Sequence, residues 1–299
     1  MSTPAPGAPA LQRFAVSPAR RRKDRLARSV ILGATIVALV PLVLIIYYLL
    51  KNGLSSWSSG FFTTDPTGNT FFKNASIGGV KSAILGTIEI VALASVIAVP
   101  IGIGVAIWLV EYGRDSSFAH VVRFFVDVLT GVPSIVFGLF IYIVLVKSHI
   151  GGDFTGWKGS FALSLLMLPI VVRAAEVVLL LVPSALREAA LALGAPRWRV
   201  ITRVVLPTAL PGLITGSLLA IARGMVETAP LLFTVSVAFG ATSDLGAQMN
   251  SLPVQIYNDI SSPRDVIIAR AWGAALTLVA LVLIINLIAR AIARRSRVA

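Results

Sequence analysis

Residues 187–207 read REAALALGAPRWRVITRVVLP, and this order predicts two helices joined by a tight turn. Ala, Leu, Arg and Glu favour a helix that begins at Ser184, whose hydroxyl is placed to cap it. Gly194 fits the left-handed position that follows a helix end, and Pro196 cannot continue the first helix. Pro207 suits the first turn of the next helix, where a missing N–H does no harm. We therefore predict a helix–turn–helix that lies on the cytoplasmic face of a membrane.

The residues around this segment are mostly apolar. Hydrophobic residues make up 57% of the 299-residue chain and charged residues 13%, whereas soluble domains contain about 45–50% and about 25%. Because about 20 helical residues cross the hydrocarbon core of a bilayer, the long apolar stretches predict membrane spans. The six predicted spans are residues 30–50, 81–109, 120–147, 160–182, 208–238 and 267–291. These runs do not alternate as barrel strands do, so the predicted fold is an all-α polytopic membrane protein with six transmembrane helices.

Three prolines mark the positions where we expect the spans to bend. A proline lacks the N–H donor and its ring clashes with the preceding turn, so it kinks a helix that continues past it. The expected bends are at Pro100 in the second span and at Pro211 and Pro230 in the fifth.

Basic residues are distributed unequally between the two sides of the predicted membrane. With the N-terminus inside, the cytoplasmic segments carry 17 Lys and Arg residues and the outer segments carry seven, which predicts that both termini are cytoplasmic. We expect the basic tail, residues 1–29, to be disordered and to precede a permanent anchor helix over residues 30–50. The net charge of +13 comes largely from clusters that flank apolar spans, which indicates contact with membrane lipid and no nucleic acid partner.

The sequence lacks the residues that several kinds of chemistry require. It contains no cysteine, and its two histidines, His120 and His149, are far apart, so we expect no metal site, no cofactor and no disulfide. No G-x-x-x-x-G-K-[ST] phosphate loop occurs, so the chain has no evident means of hydrolysing ATP. We therefore expect a protein without catalytic residues.

Two arginines lie within the predicted spans. A charged residue at the centre of a span costs about 2.5–3.5 kcal/mol on insertion scales, so Arg173 and Arg223 must face a polar cavity or a partner. Glu176 and Glu227 follow them by three and four residues and share their helical faces. Each pair is either a structural clasp, meaning a neutral ion pair without substrate contact, or a substrate site. In a substrate site the guanidinium group binds a tetrahedral oxyanion, and the carboxylate holds the arginine when no anion is present.

Other polar residues in the spans give weaker signals. Thr130 and Ser134 are candidate donors to an anion, although hydroxyl groups in helices commonly bond to their own backbone. Glu89 and Asp127 either line the path of a substrate or have a structural role.

The 187–207 stretch resembles the signature loop of ABC importer permeases. That loop has Glu-Ala-Ala, three residues, Gly, nine residues, and then an aliphatic residue, any residue, Leu and Pro. The matching positions are Glu188, Ala189, Ala190, Gly194, Val204, Leu206 and Pro207, with Val204 in place of the usual Ile. The resemblance implies that residues 184–207 form a coupling loop, with a cytoplasmic coupling helix, that docks into a cleft on a separate ATPase subunit.

Other segments are similar to the A-type permease subunit of phosphate ABC importers. They are GVPSIVFGLF at 131–140, PIVVR at 169–173, RGMVETAPLLF at 223–233 and LPVQIY at 252–257. The similarity begins near Gly78 and implies a permease core over residues 78–299; the pair Met225-Val226 departs from the family pattern.

This resemblance implies a function and a set of partners. The implied function is to pass inorganic phosphate across the bacterial cytoplasmic membrane, with both span arginines contributing to phosphate passage. The implied partners are a sister permease subunit, two ATPase subunits and an extracytoplasmic phosphate-binding protein.

The residues alone leave other functions open. Paired arginines suit sulfate or molybdate as well as phosphate. An ion-coupled secondary transporter would use Glu89, Asp127, Glu176 and Glu227 as proton carriers, but it would need no docking loop. A membrane-anchored sensor or scaffold would not explain two arginines inside the spans.

Overall fold

The described part of the chain is helical. The computed structural model describes residues 18–66, 78–236, 238 and 240–295. The α-helices within these ranges are α1 (Pro18–Gly53), α2 (Ser59–Thr63), α3 (Lys81–Ile107), α4 (Ser117–Gly131), α5 (Ser134–Ile141), α6 (Gly156–Leu180), α7 (Ser184–Ala192), α8 (Arg197–Val200), α9 (Leu206–Met225), α10 (Ala229–Leu232), α11 (Leu252–Ile260) and α12 (Asp265–Arg295). Three π-helical segments, Trp108–Gly113, Tyr142–Val146 and Ile201–Val205, extend α3, α5 and α8.

Five helices in the described residues are long and apolar enough to cross a membrane. They are Arg22–Ser56, Lys81–Gly113, Gly156–Leu180, Arg197–Met225 and Asp265–Ile288. A bent pair of helices, Ser117–Gly131 with Ser134–Val146, makes a sixth if the two helices are counted as one span. The predicted all-α fold with up to six apolar spans is therefore confirmed.

The third predicted span, residues 120–147, is not one straight helix. It divides into α4 and α5, and the chain bends by 100° at the break between them. Val132 in this break has an extended backbone, with φ −72° and ψ 130°, which is the conformation that a following proline favours. The Val132-Pro133 pair in the sequence indicates a break in the helix, but a prediction from hydropathy alone does not include it.

The fifth predicted span, residues 208–238, is also interrupted. α9 ends before Pro230, which lies in the first turn of the short helix α10 and does not bend a continuous helix. A proline is well tolerated in a first turn because the N–H it lacks would have no partner there. Pro100 and Pro211, by contrast, lie inside α3 and α9 as predicted.

The N-terminal region differs from the predicted disordered tail. The chain divides into two compact units, Met1–Tyr48 and Leu49–Ala299. α1 begins at Pro18, so the stretch expected to be disordered over residues 1–29 is helical from that residue onward. Its Arg, Lys, Ala and Leu residues all favour a helix. Residues 1–17 lie outside the described ranges.

The largest buried cluster of the second unit lies where α3, α6 and α9 meet. Ile90 of α3, Met167 of α6 and Met225 of α9 are among its buried members. Glycines of α9 allow the close approach of α6: a methyl group added at Gly216 would lie 2.7 Å from the Cβ of Ala174. α6 and α9, which carry the two candidate arginines, are therefore held in a fixed relation by their packing.

Candidate functional site

The 184–207 segment folds as short helices around a tight turn. Gly194 has φ +81°, in the left-handed region that favours glycine, and its N–H donates to the carbonyl of Leu191 at 2.9 Å. The predicted turn is therefore present. Ser184 is not the cap, because it is the first residue of α7 and Pro183 occupies the capping position without a side-chain hydrogen bond.

One face of this segment is exposed. Of the seven residues that match the signature loop, the exposed ones are Glu188, Ala189, Gly194 and Pro207. Ala190, Val204 and Leu206 are partly buried against an internal apolar cluster and support the segment from behind. Apart from Gly194 itself and its immediate chain neighbours, the described residues have no atom within 4 Å of the point where a Cβ would be placed on this glycine, so another protein surface has room to approach.

Arg187 anchors α7 to the end of α3. Its Nε and Nη2 each lie 2.9 Å from Oε1 of Glu111. Nη1 donates to the carbonyl of Val182 at 2.6 Å, and Nη2 also donates to that of Leu179 at 2.8 Å. The sequence did not predict this pair, because Glu111 lies 76 positions from Arg187. The one indication was that Glu111 is an acidic residue just past the predicted end of a span.

Arg173 belongs to a network of four alternating charges. One oxygen of Glu176 accepts from Nη1 of Arg173 at 2.8 Å, and the other accepts from Nε of Arg123 at 2.7 Å. Arg173 also pairs with Asp127, through Nε at 3.0 Å and through Nη2. Two guanidinium groups balance two carboxylates, so the network is neutral, as the interior of a membrane favours.

The two pairs predicted from spacing are both present. Nη2 of Arg223 lies 2.7 Å from Oε1 of Glu227, as the four-residue separation predicts. The side chain of Glu227 is only 6% exposed, whereas that of Arg223 is 56% exposed. This contact is an ion pair rather than an aligned hydrogen bond, since that oxygen forms no hydrogen bond of good geometry within the described residues.

The hydroxyl groups predicted as donors do not join the arginines. Thr130 donates to the carbonyl of Val126 in its own helix at 2.8 Å. Ser134 is the first residue of α5, and within the described ranges no hydrogen bond links it to either arginine. One carboxylate oxygen of Glu89 is buried without a hydrogen-bond partner among the described residues. No group of three or more His, Cys, Asp or Glu side chains that could hold a metal ion occurs in the part described.

A cleft of about 670 Å³ opens beside Arg173 between α6, α9 and α12. Gly212 and Gly216 form part of its wall, where α9 packs closely on α6. Arg290 of α12 also lines the cleft, so it contains two basic side chains. Arg223 does not line it; the structure places the two candidate arginines in separate surroundings.

Chains of solved ABC transporters share this fold. A chain of a bacterial alginate ABC transporter is 17% identical and has a TM-score of 0.64, covering 92% of this chain and 96% of the other. A chain of the MetNI methionine ABC transporter is 20% identical with a TM-score of 0.58, covering 73% and 94%. At these identities the likeness concerns the fold alone.

Sequence relatives are much closer. The phosphate transport system permease protein PstA 1 of Mycobacterium tuberculosis (strain H37Rv) is 41% identical over 283 residues, covering 93% of this chain and 91% of the relative. The permease protein PstA of Yersinia pestis is 42% identical over 276 residues, covering 91% and 90%. That of Xylella fastidiosa (strain Temecula1) is 45% identical over 224 residues, covering 74% and 77%.

The model of one protein family matches residues 98–298, about two thirds of the chain. The match includes the 184–207 segment and both candidate arginines. The resemblance to the permease subunits of phosphate importers, inferred from short motifs, is confirmed by relatives that cover nearly the whole chain. The chain belongs to the family of binding-protein-dependent transport system inner membrane components.

Proposed function

We propose that this chain is the A-type transmembrane subunit of an ATP-driven importer that passes inorganic phosphate across the bacterial cytoplasmic membrane. The observation that carries the proposal is its 41–45% identity, over most of its length, to proteins named as phosphate transport permeases. The chemistry of the spans agrees with it. Guanidinium groups supply both charge and several N–H donors, which a tetrahedral oxyanion needs when it leaves water.

ATP hydrolysis belongs to a separate subunit in this proposal. The exposed face of α7, with Glu188, and the turn at Gly194 dock into a cleft on an ATPase, and Arg187 ties α7 to the spans. The assembled importer has a sister permease subunit, two ATPase subunits and an extracytoplasmic phosphate-binding protein. The proposed orientation has the α7 side and both termini in the cytoplasm, and the excess of basic residues on that side supports it.

Arg223 is the first contact for phosphate in this scheme. Its side chain is more than half exposed, while its partner Glu227 is buried. An arriving phosphate takes the guanidinium from the carboxylate, so one anionic partner replaces another. The arginine is never left without a counter-charge, which the low dielectric of the membrane would strongly disfavour.

Arg173 acts later along the path. It is 34% exposed and is shared between Asp127 and Glu176. The cleft beside it extends to Arg290 near the end of α12, on the side that we assign to the cytoplasm. Phosphate released from Arg173 therefore has an open, positively charged route away from the membrane centre.

Uptake by the reconstituted complex tests the proposal. This chain, a sister permease and the ATPase are placed in vesicles, and entry of labelled phosphate is measured with ATP, the phosphate-binding protein and competing sulfate or molybdate. We expect uptake that requires ATP and resists both competitors. Uptake driven by a proton gradient without ATP would favour the secondary transporter, and inhibition by sulfate or molybdate would favour a different oxyanion.

A further inference from the structure

The π-helical segment Trp108–Gly113 lies between two groups of charged residues. π-helical turns replace the i→i+4 hydrogen bonds of an α-helix with i→i+5 bonds, and they occur often at functional sites. Glu111 of this segment holds Arg187 of α7 at 2.9 Å, and both side chains are largely buried. A movement of α7 therefore acts directly on the segment.

Arg123 of α4 holds the same segment from its other side. Its Nη2 donates to the carbonyl of Leu109 in the segment at 3.2 Å, and its Nη1 donates to that of Arg114, the residue directly after the segment, at 2.8 Å. Its remaining nitrogen, Nε, donates to Glu176 at 2.7 Å. The second oxygen of that carboxylate holds Arg173 at 2.8 Å. Arg123 thus connects the backbone of the segment to the carboxylate that binds Arg173.

The position of Arg123 determines how strongly Glu176 holds Arg173. The side chain of Glu176 is only 7% exposed, so water cannot compensate its charge if a partner leaves. With both arginines in place, its negative charge is divided between them. When Arg123 withdraws, the whole charge acts on Arg173, and that ion pair tightens.

We propose that Arg123 is a positioning residue that transmits movement of α7 to Arg173, and thereby sets whether Arg173 is available to the substrate anion. The chain of contacts runs from Arg187 through Glu111 and the π-helical segment to Arg123, and from there to Glu176. This inference rests on the proposed function, in which α7 docks on an ATPase and Arg173 binds phosphate.

The test compares phosphate uptake with ATP hydrolysis in the same reconstituted vesicles. Arg123→Gln removes the charge and the fork of donors. Arg123→Lys keeps the charge, but one ammonium group cannot reach Glu176 and both carbonyls together. Arg114→Gln is the matched control, because it removes a guanidinium next to the same segment and leaves the carbonyl that Arg123 binds.

We expect Arg123→Gln to raise the number of ATP molecules hydrolysed per phosphate imported by about tenfold, within the usual range of coupling between two sites. Arg123→Lys should lie between this variant and the unmodified complex, and Arg114→Gln should keep the unmodified ratio. A merely structural role would lower assembly, with hydrolysis and uptake falling in parallel. An unchanged ratio in Arg123→Gln, or the same rise in Arg114→Gln, would overturn the inference.

A second variant keeps the test decisive if Arg123→Gln does not assemble. Glu111→Gln breaks the same chain of contacts at its other end and should also raise the number of ATP molecules hydrolysed per phosphate imported. If Arg123→Gln fails to assemble, an unchanged ratio in both Glu111→Gln and Arg123→Lys refutes the proposed role of Arg123. Where both glutamine variants assemble, the double variant should have the same ratio of ATP hydrolysed to phosphate imported as the more affected single variant. The reason is that the effects of two breaks in one chain of contacts are not additive. Additive effects would place the two residues in independent roles. Failure of the unmodified complex to import phosphate would instead refute the proposed function.

Discussion

Replacement of Arg223 by glutamine separates anion binding from support of the fold. The arginine side chain is 56% exposed, and its guanidinium lies 2.7 Å from the carboxylate of Glu227, whose side chain is 6% exposed. Glutamine keeps much of the length of the side chain and loses its charge. We expect a complex that still assembles but imports phosphate poorly, because the exposed group in this pair is the one that we propose as the phosphate contact.

The size of the effect follows from the contact that is lost. A hydrogen bond to a charged group contributes about 1.5–3 kcal/mol. Since 1.4 kcal/mol corresponds to a factor of ten, the apparent affinity for phosphate should fall roughly 10- to 100-fold. The variant also leaves the charge of Glu227 buried beside a neutral group, which should lower stability by about 3–5 kcal/mol. Arg223→Lys keeps the charge but not the planar fork, so its loss of affinity should be smaller.

Uptake at a series of phosphate concentrations, together with thermal unfolding of the purified complex, measures both effects. Adding Glu227→Gln to Arg223→Gln removes the unpaired carboxylate, so the double variant should recover stability while uptake stays low. Recovery of uptake in the double variant, or normal uptake by Arg223→Gln alone, would show that the pair is a structural clasp. The assignment of Arg223 as a substrate contact would then be wrong.

Three further changes test the packing, the docking surface and the topology. Gly138→Ala places a methyl group 2.6 Å from the Cα of Pro230, so the complex should lose about 1–3 kcal/mol of stability and melt at a lower temperature. An unchanged melting temperature would contradict this packing. Gly194→Ala and Gly194→Arg both strain a backbone with φ +81°. Only Gly194→Arg should abolish association with the ATPase in pull-down assays, and equal binding of the ATPase by both variants would refute the docking surface. In intact cells a membrane-impermeant thiol reagent should label Ser55→Cys and not Arg203→Cys in this cysteine-free chain, whereas the reverse pattern would invert the orientation.

Hydropathy was sufficient to find the long helices of the fold. The predicted spans 81–109, 160–182 and 267–291 correspond to α3, α6 and α12, because about 20 consecutive apolar residues suit little other than a membrane helix. Hydropathy failed at the two breaks. Hydropathy averaged over a run of residues contains no information about backbone dihedral angles. It therefore did not predict the turn at Pro133 or the end of α9 before Glu227.

The candidate site was predictable where its contacts are local. Spacing of three and four residues identified Glu176 and Glu227 as partners of the two span arginines, because such residues share a helical face. Arg123 lies 53 positions from Glu176, and the Arg187–Glu111 pair spans 76. Contacts of that length depend on how α3, α4 and α6 pack, which no periodicity in a single sequence encodes.

The four arginines near the proposed path differ in the groups that hold them and in their exposure, and these differences separate their roles. Arg187 and Arg123 each bind one carboxylate and two backbone carbonyls, which fastens both guanidinium groups to the backbone. Arg223 has one ionic contact among the described residues, and its side chain is more than half exposed. Arg173 is intermediate: its three nitrogens also have partners, chiefly the carboxylates of Asp127 and Glu176, yet it lines an open cleft. We infer that Arg223 contributes affinity, whereas Arg173 contributes control, since an anion reaches it only after its carboxylates have yielded.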